Sequence, residues 1–331
     1  MSYDIEHFVK WIRANDLTPI LSVHSDDLEL LTHLDLSKRN LKDLPESIGV
    51  LKNLSILKLS NNKIRKLPRA IGELKNLRNL QCENNLIEEL PTEMGNLSNL
   101  MILNLNVNRL KTLPKGFYDL KSLTRLTLAA NRIETLDKDF EKLSKLLYLS
   151  LETNELEDLP DIFEKMKQLY YLDLSFNHLT KLPDSLSKIK ELETLILEGN
   201  SLSELPSLES HDMLLKLDLS DNHLKSLDFD VSKLEDLKIL ILDNNSLTKL
   251  PNEICELRNL SLLSVSSNKL ESLPESIGDL QNLYELDVED NKLESLPDSI
   301  DKLTNLKSLF IDNNKNLKKP TSLELEFCDV K

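Results

Sequence analysis

Apolar and polar residues alternate along this chain in a frame that recurs every 23 residues. Leucines mark the first position of each frame, and a single 22-residue step separates Leu192 from Leu214. The frame leucines are Leu31, Leu54, Leu77, Leu100, Leu123, Leu146, Leu169, Leu192, Leu214, Leu237, Leu260, Leu283 and Leu306. A fixed period of this length predicts a solenoid, and because each repeat packs on its neighbours we expect one elongated domain.

Each frame predicts a short strand followed by a return segment. In residues 54–76 (LSILKLSNNKIRKLPRAIGELKN), Leu57 and Leu59 alternate with polar residues, which indicates a strand with one buried face. Strands of successive repeats stack in parallel about 4.8 Å apart. The second half turns at an LP pair and brings Ile71 and Leu74 back to the core. The predicted fold class is therefore α/β, with 13 repeats around a parallel sheet.

The consensus of these frames, LxxLxLxxNxLxxLPxxIxxLxx, resembles the leucine-rich repeat superfamily. Its LPxxIxxL half is similar to the subtype found in bacterial cytoplasmic and effector proteins and in the Ras-group repeat proteins. The resemblance covers about residues 31–320. It implies a horseshoe-shaped solenoid with a concave sheet. It also implies a non-enzymatic protein-interaction module that binds a protein partner on the concave face, either as a bacterial adaptor or as an effector.

Two further positions of the frame are nearly constant. The ninth position is asparagine in every repeat except the first, which has Arg39. The resemblance implies that these amides are buried and bond backbone groups of neighbouring turns, which buried peptide groups require. Eleven of the twelve prolines share another position, where a fixed φ suits a non-helical return segment. Asp137 and Asp228 replace the proline in two repeats, so we expect those return segments to differ.

The ends of the chain depart from the frame and predict caps. We expect an N-terminal helical cap with a partial repeat over residues 1–30, leucine-rich repeats over 31–316, and a C-terminal cap over 317–331. A helix over residues 3–15 would cover the first repeat with one apolar face. That face carries Ile5, Phe8, Val9 and Ile12. At the other end, the alternating Leu323, Leu325 and Phe327 predict a closing strand.

Composition narrows the classes of partner and compartment. The 331 residues carry a formal net charge of −15, which disfavours nucleic acid and favours basic protein surfaces. Three distant cysteines argue against a disulfide framework and suit a reducing compartment. Neither a signal peptide nor an apolar run of roughly 18 residues is visible. We expect no membrane insertion, and a cytoplasmic location or delivery into a host cell by a dedicated secretion system.

Catalytic and metal chemistry have little support in the sequence. His178 and His223 share a frame position but lie two repeats apart, about 10 Å, which is too far to share a metal. No HExxH, GxSxG, GxGxxG or P-loop motif occurs. We therefore expect no enzyme activity, no catalytic residue, no cofactor and no metal.

The candidate binding residues occupy the third, fifth and seventh positions of the frame, which the alternation turns toward solvent, together with positions beside them. One set, the aromatic group, falls on adjacent repeats and comprises Tyr148, Tyr170, Tyr171, Phe176 and Ile196. A second set, the acidic stripe, lies at the seventh position and includes Glu152, Glu198, Asp243, Glu289 and Asp312, with Glu83 at the same position. A further apolar patch comprises Ile239, Ile241 and Leu262. Together they predict a monomer that binds a protein partner with a basic and apolar surface.

Other interpretations of these residues remain open. The acidic side chains also fit a role in solubility, and the aromatic side chains also fit a ladder that packs on itself. A structural or self-associating solenoid is an alternative function, because a weak C-terminal cap leaves a strand edge to pair. A peptide or small-molecule sensor that uses the tyrosine and isoleucine side chains is another.

Overall fold

The computed structural model describes residues 3–19, 24–318 and 329–330. It divides into two compact units, Met1–Leu156 and Glu157–Lys331, and each is a stack of repeats. Within the described residues, no helix combines the length and apolar character needed to cross a membrane.

Among its described residues, the first unit contains two helices, α1 (Tyr3–Ala14) and α2 (Ser25–Glu29), followed by six strands and five 3₁₀ helices. The strands are β1 (His33–Asp35), β2 (Ile56–Lys58), β3 (Asn79–Gln81), β4 (Ile102–Asn104), β5 (Arg125–Thr127) and β6 (Tyr148–Ser150). The 3₁₀ helices span Glu46–Val50, Arg69–Glu73, Thr92–Asn96, Lys115–Asp119 and Lys138–Lys142.

The second unit contains eight strands and six 3₁₀ helices among its described residues. The strands are β7 (Tyr171–Asp173), β8 (Thr194–Ile196), β9 (Lys216–Asp218), β10 (Ile239–Ile241), β11 (Leu262–Ser264), β12 (Glu285–Asp287), β13 (Ser308–Phe310) and β14 (Asp329–Val330). The 3₁₀ helices span Phe163–Lys165, Asp184–Lys188, Val231–Lys233, Asn252–Glu256, Ile277–Asp279 and Asp298–Lys302.

The paired strands described within each unit are parallel and follow the sequence frame without a slip. Strands β1 to β13 occupy the third to fifth positions of the thirteen frames, so that His33 pairs with Ile56, and Tyr171 with Thr194. The frame leucines are buried from Leu54 onward, with Leu31 of the first repeat half-buried, and most of the apolar residues of the return segments are buried too. The predicted leucine-rich repeat solenoid with a parallel sheet is therefore confirmed.

The return segments turn at the predicted position, and proline fixes that turn. Pro45 and Pro68 precede their 3₁₀ helices with ψ angles of 153° and 155°, which continue the extended backbone up to the first helical residue. Asp137 takes the place of proline in the fifth repeat and caps the helix instead, because its side chain accepts a hydrogen bond from the Asp139 amide. Neighbouring return segments also pack aromatic side chains, with Tyr118 edge-on to Phe140 at 6.3 Å.

The asparagine column is buried and joins successive repeats. Asn108 shows the geometry: its Oδ1 accepts from the Ile87 amide at 2.9 Å, and its Nδ2 donates to the carbonyls of Cys82 and Leu105 at 3.0 Å. One side chain therefore satisfies peptide groups of two neighbouring turns that the parallel sheet leaves unpaired. In the first repeat arginine replaces the asparagine. The Arg39 backbone amide donates to Oδ1 of Asn62, the first asparagine of the column.

Helix α1 caps the N-terminal end as predicted. Ile5, Phe8, Val9 and Ile12 are buried, and the helix packs against the 3₁₀ helix Glu46–Val50. In the predicted partial repeat, Leu28 lies in the core. At the C-terminal end, β14 pairs in parallel with β13, whereas the alternating residues predicted to form a closing strand (323, 325 and 327) lie outside the described residues.

The 22-residue repeat differs from its neighbours in its return segment. Among the described residues of that segment, no 3₁₀ helix forms between Asp184–Lys188 and Val231–Lys233. His211 instead fills the core, and its two ring nitrogens lie 3.0 Å and 3.2 Å from the carbonyls of Leu208 and Leu186. Burial is the main cause that lowers the pKa of His211, so the ring is neutral at pH 7.

The eighth position of every repeat has a left-handed backbone. The φ angles there lie between 50° and 66° in all thirteen repeats. Asparagine, aspartate and glycine tolerate this conformation, whereas β-branched and bulky residues do not. Val107, Ala130, Thr153 and Phe176 nevertheless occupy it in four successive frames, with φ angles of 51° to 54°.

Candidate partner-binding surface

The side of the sheet opposite the leucine core carries very different charge in the two units. The open side of each repeat is formed by positions 3, 5, 7 and 8 of its frame, all of which are described. In the first unit they hold three carboxylates and three basic side chains. In the second unit they hold ten carboxylates and one basic side chain, Lys216. The ten are Asp173, Glu198, Asp218, Asp221, Asp243, Glu285, Asp287, Glu289, Asp290 and Asp312.

In the first unit, the predicted aromatic residue Tyr148 is engaged by its own chain. Arg125 lies directly opposite on the neighbouring strand, and its guanidinium carbon sits 3.7 Å from the centre of the Tyr148 ring. This is a cation–π contact. Both residues occupy the third position of consecutive frames, so the 23-residue spacing itself places them together. Glu152, at the seventh position, is half-buried and its carbonyl accepts from the Ala130 amide.

In the second unit, the other aromatic-group residues surround strand β7. Tyr170 precedes the strand and Phe176 follows it, with 38% and 46% of their surfaces exposed. Tyr171 begins the strand, is half-buried, and its hydroxyl lies 3.4 Å from an Asp173 oxygen. Ile196 is half-buried on β8 and pairs in register with Asp173.

Tyr170 and Phe176 lie at opposite ends of β7. Five residues lie between them, and these include the whole strand. Tyr171 and Ile196 are on the adjacent strands β7 and β8. Phe176 belongs to the left-handed position at the edge of the sheet, a position that hydrophobic alternation does not distinguish.

The residues of the acidic stripe have different environments. Asp243 is tied into the sheet, because its Oδ1 accepts from the Ser264 hydroxyl at 2.6 Å and from the Ser266 amide at 2.7 Å. Glu198 is half-buried, and burial followed by Asp218 and Asp221 raises its pKa. Glu289 is also half-buried, whereas Asp312 is exposed. The stripe therefore combines a structural carboxylate with others that are open to a partner.

Sequence reasoning missed a structural role for the aspartates at the fifth position. In the tripeptide DLS, the aspartate Oδ1 accepts from the serine hydroxyl two residues later. The distance is 2.6 Å for both Asp173–Ser175 and Asp218–Ser220. This bond satisfies the serine hydroxyl just after the end of each strand, and both carboxylates are buried. The recurrence of DLS at a fixed frame position was the available signal.

One carboxylate of the second unit is half-buried and surrounded by like charges. The pKa of Asp287 is raised to about 6, mainly by burial and then by Asp243, Glu289 and Glu285, although a hydrogen bond from the Glu289 amide opposes the shift. This carboxylate lies on β12, next to the strand β11 that carries Leu262 of the predicted apolar patch. In that patch Ile239 pairs with Leu262 across β10 and β11, and both are half-buried. A partner that brings cations and apolar side chains would relieve the repulsion and cover the patch.

Reactive chemistry finds no organised site in the described part of the chain. No group of three or more histidine, cysteine, aspartate and glutamate side chains there is arranged to hold a metal ion. Burial raises the pKa of the Cys82 thiol far above its ordinary value, so this cysteine is unreactive. A cavity of about 470 Å³ lies beside α1, but its lining includes Lys52 and Glu73, which already pair with each other.

Comparison with known proteins places these observations in a family. A family described as "Leucine-rich repeat region" matches residues 20–105. A second, described as "Leucine rich repeat", matches residues 122–179, 144–202, 213–270 and 258–315. A search of curated proteins gave no match.

Several solved structures resemble the chain. A leucine-rich repeat protein of Leptospira interrogans is 31% identical, with a TM-score of 0.72, over 93% of this chain and 97% of that one. A plant peptide hormone receptor, solved in complex with RGF2, is 26% identical with a TM-score of 0.60, over 83% of this chain and 53% of the receptor chain. An internalin of Listeria monocytogenes is 21% identical with a TM-score of 0.69, over 99% and 94%, and supports the fold alone.

Proposed function

Because the chain belongs to the leucine-rich repeat family, we propose that it is a non-enzymatic protein-interaction module. Its partner is a protein with a basic and apolar surface. The partner binds the solvent-facing side of the sheet, which the sequence predicts to be concave. The similarity to a Leptospira interrogans protein supports a bacterial adaptor or effector, acting in the cytoplasm or inside a host cell.

The charge asymmetry between the two sheets is the observation that carries this proposal. A surface kept acidic only for solubility would place its carboxylates where water separates them, because clustering raises their mutual repulsion. In the second unit they cluster instead, and Asp243, Glu289 and Glu285 add to the burial that raises the pKa of Asp287 to about 6. Half-buried Ile239, Ile241 and Leu262 lie on neighbouring strands of the same sheet. This combination suits a cationic partner that also buries apolar area.

A pair of isoelectric variants tests the location of the binding surface. The face variant carries Glu198→Gln and Glu289→Gln, and its control carries Glu164→Gln and Glu253→Gln on exposed 3₁₀ helices of the return segments. Both lose two negative charges, so net charge does not distinguish them. The immobilised chain is used to capture proteins from a lysate of its source. We expect the face variant to lose partners that the control retains, and equal retention by both would refute binding on the sheet.

The aromatic group is tested separately. The triple variant Tyr148→Ala, Tyr171→Ala and Phe176→Ala removes aromatic area from both units without touching the buried leucines. We expect weaker capture of the same partner, measured as a faster dissociation rate. Unchanged dissociation would remove the aromatic group from the binding surface and leave the acidic residues and the apolar patch as its support.

A peptide-binding module is the second candidate. The similarity to a plant receptor that is described as a peptide hormone receptor favours it, although this chain spans about half of that receptor's length. An extended peptide buries less area than a folded partner. Protease treatment of the captured partner separates the two: a bound fragment that survives cleavage of the rest of the partner supports peptide recognition.

A further inference from the structure

At one edge of the second unit's sheet, an exposed aromatic ring lies among carboxylates. We propose that Phe176, Glu198 and Asp221 form a seat for an arginine side chain of the partner. This proposal rests on the proposed function, and it deepens it by naming the chemical group that is recognised. The seat lies at the C-terminal ends of β7, β8 and β9, outside the strands that carry the rest of the candidate surface.

The ring is held in place by the repeat that follows it. The Phe176 amide donates to the Glu198 carbonyl at 2.7 Å, which fixes the backbone of the two repeats together. The Phe176 ring rests on Gly199, since a Cβ atom placed on that glycine would lie 2.6 Å from the ring. Glycine at this position therefore lets the ring lie close to the backbone and leaves 46% of Phe176 exposed.

The conformation of Phe176 has an energetic cost that burial does not offset. Its φ angle is 51°, which is unfavourable for a bulky side chain, and the same position elsewhere in the unit holds Gly, Asp, Asn or Ser. A residue that is both strained and exposed contributes little to folding. A role in partner binding therefore explains Phe176 better than a role in folding does.

Carboxylates lie in the next two repeats. Glu198 immediately precedes Gly199, and Asp221 occupies the eighth position one repeat further, where the Gly199 amide bonds the neighbouring Ser220 carbonyl at 3.0 Å. The Asn244 side-chain amide donates to Asp221 Oδ1, so the other Asp221 oxygen is the one that faces a partner's cation. Glu198 feels the negative charge of Asp218 and Asp221, in addition to its burial. Lys216 is the cation at the open positions of this unit, and it pairs with Asp218 at 3.4 Å. Among the described residues, no cation is stacked on Phe176.

The chain itself shows the geometry that the seat would accept. In the first unit, the Arg125 guanidinium lies 3.7 Å from the centre of the Tyr148 ring. Phe176 offers a comparable ring, and its cation has to come from elsewhere. A guanidinium is preferred to an ammonium because it is planar, stacks on an aromatic face and can bond a carboxylate with two parallel N–H groups. The occupant of the seat is therefore an arginine of the partner protein.

Nuclear magnetic resonance titration of the intact chain tests this seat. The probes are N-acetyl-arginine methylamide, its lysine counterpart, and the neutral citrulline counterpart that keeps the shape of arginine. The reporter is the Gly199 amide, which is one of only six glycines in the chain. We expect a saturable shift with the arginine probe and none with citrulline. The variant Phe176→Leu should weaken arginine binding roughly three- to fivefold, the size of an exposed cation–π contact.

The control removes the same charges on the return segments. Glu253→Gln with Asp279→Asn, both exposed, should leave the titration unchanged, whereas Glu198→Gln with Asp221→Asn should abolish saturation. The amide signals of the other glycines report whether each variant stays folded. An equal response to the lysine probe, or an arginine response that Phe176→Leu does not alter, would overturn the seat. Such a result leaves the isoelectric capture experiment untouched, so the two proposals fail independently.

Discussion

The left-handed eighth position makes a stabilising substitution predictable. Thr153 is exposed and has a φ angle of 53°, a conformation that its β-branched side chain disfavours. The hydrogen bond at this residue is made by its backbone, because the Thr153 carbonyl accepts from the Asn131 amide. The substitution Thr153→Asn keeps that carbonyl and installs the residue found at this position in several other repeats, such as Asn84.

The magnitude follows from the backbone energy. A left-handed conformation costs an L-residue roughly 1–2 kcal/mol, and asparagine is among the residues that reduce this cost through local hydrogen bonds. The exposed side chain of Thr153 contributes about 0.5 kcal/mol or less. We therefore expect Thr153→Asn to raise the free energy of unfolding of the first unit by about 1 kcal/mol.

The assay is equilibrium denaturation in urea, with a matched control that makes the same chemical change. Thr248→Asn also replaces an exposed threonine, but its backbone is not left-handed. A second variant, Val107→Asn, repeats the test two frames away, where φ is 54°. We expect the midpoint to rise for Thr153→Asn and Val107→Asn and to stay within error for Thr248→Asn. If all three variants behave alike, the backbone argument fails.

Three further predictions address the column, the close approach of repeats and the acidic sheet. Asn108→Ala should lower the free energy of unfolding by about 1–3 kcal/mol, because several bonds between turns are lost, whereas Arg39→Ala should stay within about 0.5 kcal/mol; equal denaturation midpoints would contradict a structural column. Gly95→Ala should lower the melting temperature more than Gly49→Ala, because the new Cβ would lie 2.0 Å from a backbone oxygen in the first case and 2.9 Å from a flexible carboxylate in the second; a larger loss at position 49 would reverse this reasoning. Because the pKa of Asp287 is raised, its contribution to stability is present below pH 3.8 and is lost as the pH rises through about 6. Asp287→Asn should therefore raise the free energy of unfolding by about 1 kcal/mol at pH 7 and by nothing measurable at pH 4. A benefit that does not depend on pH would argue against the repulsion.

The fold could be predicted from the sequence because its determinants are local and repeated. A 23-residue frame places Leu57 and Leu80 at equivalent positions, and parallel pairing of identical frames leaves one register that buries every leucine. The apolar face of residues 3–15 predicted the N-terminal helix in the same way, whereas the buried amides were implied by the resemblance to the leucine-rich repeat superfamily. Each of these features needs only the direction of a side chain relative to its own strand or helix.

The candidate surface was only partly predictable, because its properties depend on pairs of side chains from different repeats. The periodicity placed Tyr148 and Asp243 on the open side of the sheet. It did not show that Arg125 covers the Tyr148 ring, or that Asp243 accepts a hydrogen bond from Ser264 of the next repeat. Polar alternation also gives no sign of a left-handed turn, so Phe176 was grouped with residues from which β7 separates it.

The sequence by itself determined the repeat, its register and the identity of the buried residues, since hydrophobic burial responds to a pattern that repeats along the chain. Only the tertiary structure decided which polar side chains are already bonded and which are left for a partner. Hydrogen bonds and ion pairs depend on distances of a few ångströms between atoms that lie more than twenty residues apart. A one-dimensional period places such residues on neighbouring strands, but the rotamers and the local dielectric of the folded sheet set the final contact.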